Sequence, residues 1–171
     1  TTDWSTNHAF RLQCLRQRPD ALVAVKDEFK EQIAAETGSP LGICGAGGPQ
    51  CEVPIGFIDY TLATLPSFRW SRAMYIKCTA DADAFRWSHD IGVAQFANIR
   101  SRRLVEKEAV GVVACITPWN VPLQINLAKC IPALAAGCTV VLKAAPDTPW
   151  SATMLGRLVK EHTDIPAGVF N

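Results

Sequence analysis

The chain has 171 residues, 49% hydrophobic and 19% charged, with 17 basic against 16 acidic side chains and a formal net charge of +1. A chain of this length buries about 70% of its unfolded surface as a single domain, and its near neutrality leaves no electrostatic footprint for nucleic acid or an anionic membrane. No apolar run approaches the ~20 residues that span a bilayer, so neither nucleic acid nor membrane is an expected partner.

The opening Thr1-Thr2-Asp3-Trp4 shows neither an initiating Met nor a signal-peptide pattern and reads as a start inside a longer protein. Trp4-Ser5-Thr6 reads as a helix entry with Ser5 or Thr6 as N-cap. Phe10, Cys14, Leu15, Leu22 and Val25 follow as a helical stripe, which Pro19 is predicted to kink or split. A second helix near Lys26–Thr37 buries Phe29 and Ile33 and stops at Gly38; Lys26, Asp27, Glu28, Lys30 and Glu31 form its solvated face.

In Leu41–Gln50 glycines follow a short apolar run, as in a dinucleotide-binding turn. The pattern fails because position 50 is not glycine and the preceding run is too short for a sheet strand, so a flexible turn is expected. A further helix is predicted over Cys51–Leu65 despite Pro54, ending before Pro66.

Phe68–Asn98 interleaves Phe68, Trp70, Tyr75, Phe85, Trp87 and Phe96 with Arg69, Arg72, Lys77 and Arg86. That is the composition of a single-stranded nucleic-acid platform, but neutrality and the lack of a recognisable module argue against it, and turns with edge strands are expected instead. His8, His89 and His162 are isolated and read as surface or satisfied core histidines.

The stretch Glu108–Ala145 organises the rest. Gly111–Ile116 is a short β-branched run that predicts a strand buried on both faces of a parallel sheet, broken by Thr117-Pro118-Trp119-Asn120. From Val121 to Ala136, Leu123, Leu127, Ile131, Leu134 and Ala135 recur at helical spacing, and Gly137 stands where a left-handed cap is needed. Thr139–Leu142 gives a second buried strand and completes a βαβ unit. Ligands of such sheets sit beyond the C-terminal strand ends, which here are Ile116–Asn120 and Lys143–Pro146. Asn120 offers an amide that can donate to a developing oxyanion, and Lys143 a point charge with three donors. The alternative is that Asn120 caps the helix and Lys143 snorkels from a strand end. Asp147-Thr148-Pro149 opens another helix with Thr148 as N-cap, placing Ser151, Leu155, Leu158, Val159 and His162 on one face, and Gly168-Val169-Phe170 begins a third strand.

The seven cysteines are odd in number and irregularly spaced, which points to reduced thiols in a cytoplasmic protein. Cys44 and Cys51 have no paired histidines, so no metal site is expected. Cys115 precedes the motif, but its apolar neighbours make it inert rather than nucleophilic.

ITPWNVP, then K-x-x-PALAAG-x-TVVLK, then DTP and the closing Pro166-Ala167-Gly168-Val169-Phe170-Asn171 resemble the aldehyde dehydrogenase superfamily. Glu36-Thr37-Gly38-Ser39-Pro40 is similar to that family's E-T-G-K-P. The resemblance implies an α/β fold: N-terminal helices plus part of a parallel Rossmann-like sheet. The expected division is a helical part over residues 1–66, an edge-strand region with an oligomerisation role over 67–107, and a βαβαβ half-sheet over 108–171.

It further implies oxidation of a small-molecule aldehyde to a carboxylic acid through a thioester, with hydride passing to NAD or NADP. Catalytic roles fall to Asn120, which holds the substrate oxygen, and to Lys129 near the catalytic centre. Ile116, Thr117, Pro118, Trp119, Lys143 and Pro146 take the cofactor, while Val121, Ile125 and Ala128 stand where many relatives carry bulkier tunnel walls. Pro146 replaces a glutamate common in NAD-preferring relatives; with Asp147 beside it, NAD is the expected cofactor and NADP remains open. Neither the G-Q-x-C nucleophile motif nor the E-L-G-G-K base motif is present, so the chain is expected to be catalytically incomplete, a piece cut at both ends. It would work as a homo-oligomer or as the complement of the enzyme's remainder. Two alternatives are a short non-catalytic assembly module and an acylating or acyl-reducing relative.

Overall fold

A computed structural model describes residues 2–44, 48–73, 94–96, 99–101 and 104–171. The chain divides into two compact units, one made of Thr1–Ser67 with Ala109–Asn171 and the other of Phe68–Glu108.

In the larger unit a short helix α1 (Thr2–Thr6) leads to α2 (His8–Ala24), α3 (Lys26–Thr37), the single turn α4 (Leu41–Cys44) and α5 (Glu52–Thr64), which runs into a 3₁₀ turn at Leu65–Ser67. The expected N-cap at Ser5 or Thr6 is displaced, because both lie inside α1. Asn7 instead caps α2, its Oδ1 accepting from Phe10 N at 3.0 Å. Pro19 does not split α2. One lost backbone bond, costing about 3 kcal/mol, is outweighed by the packing of Cys14, Leu15 and Leu22 on the buried face. That face also carries two residues absent from the apolar stripe, Arg11 and Arg18. Helix α3 ends as expected at Gly38, whose φ of 69° supplies the left-handed cap.

The βαβ unit forms as β5 (Val112–Ile116), α6 (Pro122–Ala135) and β6 (Thr139–Lys143), with β5 and β6 parallel and in register from Val112 opposite Thr139 to Ile116 opposite Lys143. The third strand is reduced to a parallel bridge between Val140 and Phe170, supported by Val140 N donating to Val169 O and Asn171 N to Val140 O, both at 2.8 Å. Alternation decides burial in this sheet. Cys115 and Val140 are buried and Val113 and Leu142 half-buried, whereas Val112, Ala114, Ile116, Val141 and Lys143 are exposed. The expectation of strands buried on both faces is therefore corrected: among the described residues the helices cover one face only.

Helix α6 joins the two parts of the core. Cys130, Leu134 and Ala135 pack with Trp4, Leu15, Cys115 and Val140, while Leu123, Leu127 and Ile131 pack with Phe29, Ile33 and Ile58. Its C-terminal end is locked to the N-terminus of the chain. Trp4 Nε1 donates to Cys138 O at 3.0 Å; Arg11 donates to Ala135 O at 3.2 Å, Trp4 O at 2.7 Å and Ser5 O at 2.9 Å. Gly137 is required twice over: its φ is +89°, and a Cβ would stand 2.9 Å from Ser5 O and 3.2 Å from Arg11 Cζ.

Helix α7 (Pro149–His162) buries Ser151, Leu155, Leu158 and Val159. His162, expected on that face, is exposed, because it lies in the last turn, where it joins Lys160 at the negative end of the helix dipole. Thr148 precedes the helix but makes no side-chain cap bond. The cap is the carboxylate of Glu36, which accepts from Trp150 N and from Ser151 N at 3.1 and 3.2 Å.

In the smaller unit β1 (Ser71–Ala73) pairs antiparallel with β4 (Leu104–Glu106), and β2 (Ala94–Phe96) with β3 (Ile99–Ser101). Phe68 meets Trp70 edge to face at 4.7 Å, and Lys107 Nζ lies 4.5 Å from the Phe68 ring centre. The aromatics Tyr75, Phe85 and Trp87, like His89 and Cys78, lie outside the described residues.

Candidate functional site

Because β5 and β6 run parallel and in register, both end at the same level, and the loops leaving them form adjoining corners. The corners are tied together: Thr117 N donates to Lys143 O at 3.3 Å and Thr117 Oγ1 lies 3.5 Å from the same oxygen. This bond turns Thr117 inward, to 6% exposure, and leaves Ile116, Pro118, Trp119 and Asn120 facing out. Across the tie, Lys143, Pro146 and Asp147 are exposed, and Thr148 N closes the second corner on Ala145 O at 3.2 Å. An exposed ammonium and an exposed carboxamide thus share one end of the sheet, flanked by the Trp119 indole.

Asn120 does not cap α6. The N-cap is Val121, with no side-chain cap bond, so the capping alternative fails and the carboxamide is left to other work. Behind it Val121, Ile125 and Ala128 are half-buried at helical spacing, an apolar stripe with no charged member. Lys129 is exposed and lies two turns into α6, about 10 Å along the axis from Pro122, so it is not gathered with the corner residues.

The described cysteines are all buried and without a disulfide. Burial pushes the thiols of Cys14, Cys44 and Cys130 up, and that of Cys51 to about 11. These four are protonated at neutral pH and none is an activated thiolate. The N-terminal amides of α7 are occupied by Glu36, so that helix end offers no vacant anion site. Sequence reasoning read Glu36 only as part of a helix ending and missed this cap; a cap supplied from another helix leaves no local spacing signal. It also passed over Gln50, whose Nε2 donates to Asn120 O at 3.0 Å.

Over residues 2–171 the sequence matches the family described as "Aldehyde dehydrogenase family". The chain belongs to that family. This aldehyde dehydrogenase chain is 37% identical over 158 residues to the mitochondrial succinate-semialdehyde dehydrogenase of Mus musculus, covering 92% of this chain and 25% of the relative. It is 53% identical over 70 residues to the NADP(+) succinate-semialdehyde dehydrogenase of Escherichia coli, covering 41% of this chain and 14% of that protein. Among solved structures it superposes on aldehyde dehydrogenase C of Pseudomonas syringae, in complex with NAD+ and octanal, with a TM-score of 0.77 and 28% identity over 98% of this chain and 29% of that one. The chain therefore spans about a quarter of the length of these relatives. The Rossmann-like part-sheet and its N-terminal helices are the fold expected from the sequence. No helix among the described residues is long and apolar enough to cross a membrane.

Proposed function

We propose that this chain forms the oxyanion and cofactor-corner segment of an NAD(P)-dependent aldehyde dehydrogenase that oxidises an aldehyde to a carboxylic acid. The observation that carries the reading is the Thr117–Lys143 tie, which sets the exposed Asn120 and Lys143 at one end of a parallel sheet. The donor set fits a dinucleotide: Lys143 supplies three N–H donors for ribose hydroxyls, and Ile116, Pro118 and Trp119 supply an apolar wall. The dinucleotide, when bound, supplies the hydride acceptor. Asn120 donates to the aldehyde oxygen as negative charge grows on it, without itself changing protonation state. Lys129 belongs to the same proposal as a positive charge toward the catalytic centre, set two turns along α6 from the corner rather than in it. The buried thiols of Cys14, Cys44, Cys51 and Cys130 offer no activated nucleophile, and the reading of the chain as catalytically incomplete by itself rests on the missing G-Q-x-C and E-L-G-G-K motifs.

The apolar stripe Val121, Ile125 and Ala128 favours an uncharged aldehyde. A semialdehyde brings a carboxylate at its far end, whose burial calls for a guanidinium or ammonium that the stripe does not provide. Pro146 carries no carboxylate to repel a 2′-phosphate, so NADP is accepted beside NAD, with Asp147 tilting the choice to NAD. A cytoplasmic, oligomeric protein completes the proposal, supported by the reduced thiols and the exposed apolar face of the sheet.

Titration of the chain with NAD and NADP, followed by Trp fluorescence, tests the reading. Saturable binding that weakens about tenfold in Lys143→Met is expected, the loss of one charge-assisted bond. Absence of binding to both nucleotides overturns it.

A further inference from the structure

The Asn120 carbonyl is held by a side chain that no part of the function above requires. Gln50 Nε2 donates to Asn120 O at 3.0 Å and lies 3.4 Å from Ser39 Oγ. Ser39 Oγ stands 2.7 Å from Thr37 Oγ1, which donates to Ile33 O at 2.7 Å and accepts from Ser39 N at 3.2 Å. The Thr37 hydroxyl is within donating distance of both Ile33 O and Ser39 Oγ, and Ser39 Oγ accepts from Gln50 Nε2. A hydrogen-bonded chain thus runs from Asn120 O through Gln50, Ser39 and Thr37 to the last turn of α3, with Gln50 Nε2 donating toward both ends.

Two further observations give this chain a purpose beyond packing. Gln50 is 4% exposed, yet its Oε1 is buried with no hydrogen-bond partner, a cost that an apolar side chain of the same shape avoids. Ser39 follows the left-handed Gly38 that ends α3, a turn that sets its hydroxyl where it accepts from Gln50 Nε2.

We propose that Gln50 is the positioning residue for Asn120, fixing the peptide from which its carboxamide projects; this rests on the reading of Asn120 as oxyanion donor. The corner is then pinned at both ends, by Thr117 on Lys143 O and by Gln50 on Asn120 O. A donor held in place before the reaction needs no reorganisation when charge develops, which is the condition for strong oxyanion stabilisation.

The test is NMR on the full ¹³C,¹⁵N-labelled chain, comparing Gln50 with Gln50→Met and Gln50→Glu, both close in size and without a donor. Expected in both variants are an upfield move of the Asn120 carbonyl ¹³C resonance, from loss of the hydrogen bond, and a fall in the heteronuclear NOE of the Asn120 carboxamide. The amides of Thr117, Val140 and Asn171 keep their positions, and Ser39→Ala gives a smaller move in the same direction. An unchanged Asn120 carbonyl and carboxamide in both variants overturns the proposal. So does a displacement spread equally over Thr117, Val140 and Asn171, which would make Gln50 a general support of the core. Titration of the unsubstituted chain with NAD and NADP judges the cofactor reading separately.

Discussion

Arg11 and Arg18 lie on the same buried face of α2, seven residues apart, and make opposite predictions. Arg18 is 2% exposed, and among the described residues none of its three guanidinium nitrogens has a hydrogen-bond partner; its Cζ lies 5.2 Å from the centre of the Phe170 ring. Burial pushes its pKa from 12.5 down to about 10, with the nearby Cys130 thiol pulling weakly the other way. The charge therefore persists at neutral pH, and its desolvation costs about 3 kcal/mol. A desolvated cation–π contact returns up to about 2 kcal/mol. Replacing the residue by methionine removes both and keeps the apolar stem, so Arg18→Met is expected to stabilise the chain by about 1–2 kcal/mol, or about 2–8 °C in Tm. Arg11→Met is the counter-experiment: it strips the donors from Ala135, Trp4 and Ser5 and is expected to cost about 3 kcal/mol or more. Urea unfolding followed by the buried Trp4 reads both as shifts in midpoint at constant slope. Loss of stability in Arg18→Met comparable to that in Arg11→Met would refute the reasoning, since it would mean that the Arg18 guanidinium is paired.

Gly137→Ala forces a side chain into left-handed backbone and against Ser5 O, for an expected loss of about 2–4 kcal/mol in urea unfolding. Glu36→Ala removes the carboxylate from the α7 amides; thermal unfolding should register a loss of about 1–2 kcal/mol, most of it kept by Glu36→Gln, which retains an acceptor. With the Cys51 thiol raised from 9.0 to about 11, the unfolded state releases its proton first as pH rises. Stability is thus expected to hold below pH 9 and to fall as pH climbs to about 11, a loss that Cys51→Ala reduces when midpoints are compared across that range.

Much of the fold is legible along the chain because its signals are local. The periodicity of α6, the glycines that end α3 and α6, and the two short β-branched runs each require only neighbours in sequence. The same holds for the corners: a strand that stops at Ile116 and another that stops at Lys143 must present Asn120 and Lys143 at one end of any parallel pair. Burial on both strand faces is not legible, because an apolar run shows that a strand can be covered, not which of its faces the helices reach.

What the sequence by itself determines is therefore the family, the βαβ unit and the position of the two corner residues proposed to carry its chemistry. Tertiary structure alone decides who holds them. Glu36 caps a helix that begins more than a hundred residues later, Arg11 grips the end of α6 across a similar distance, and Gln50 reaches Asn120 from a loop that reads as a plain glycine-rich turn. These are polar contacts between segments remote in sequence. A buried donor or acceptor must find a partner, but nothing in local spacing names which one, so such pairings emerge only when the helices have packed.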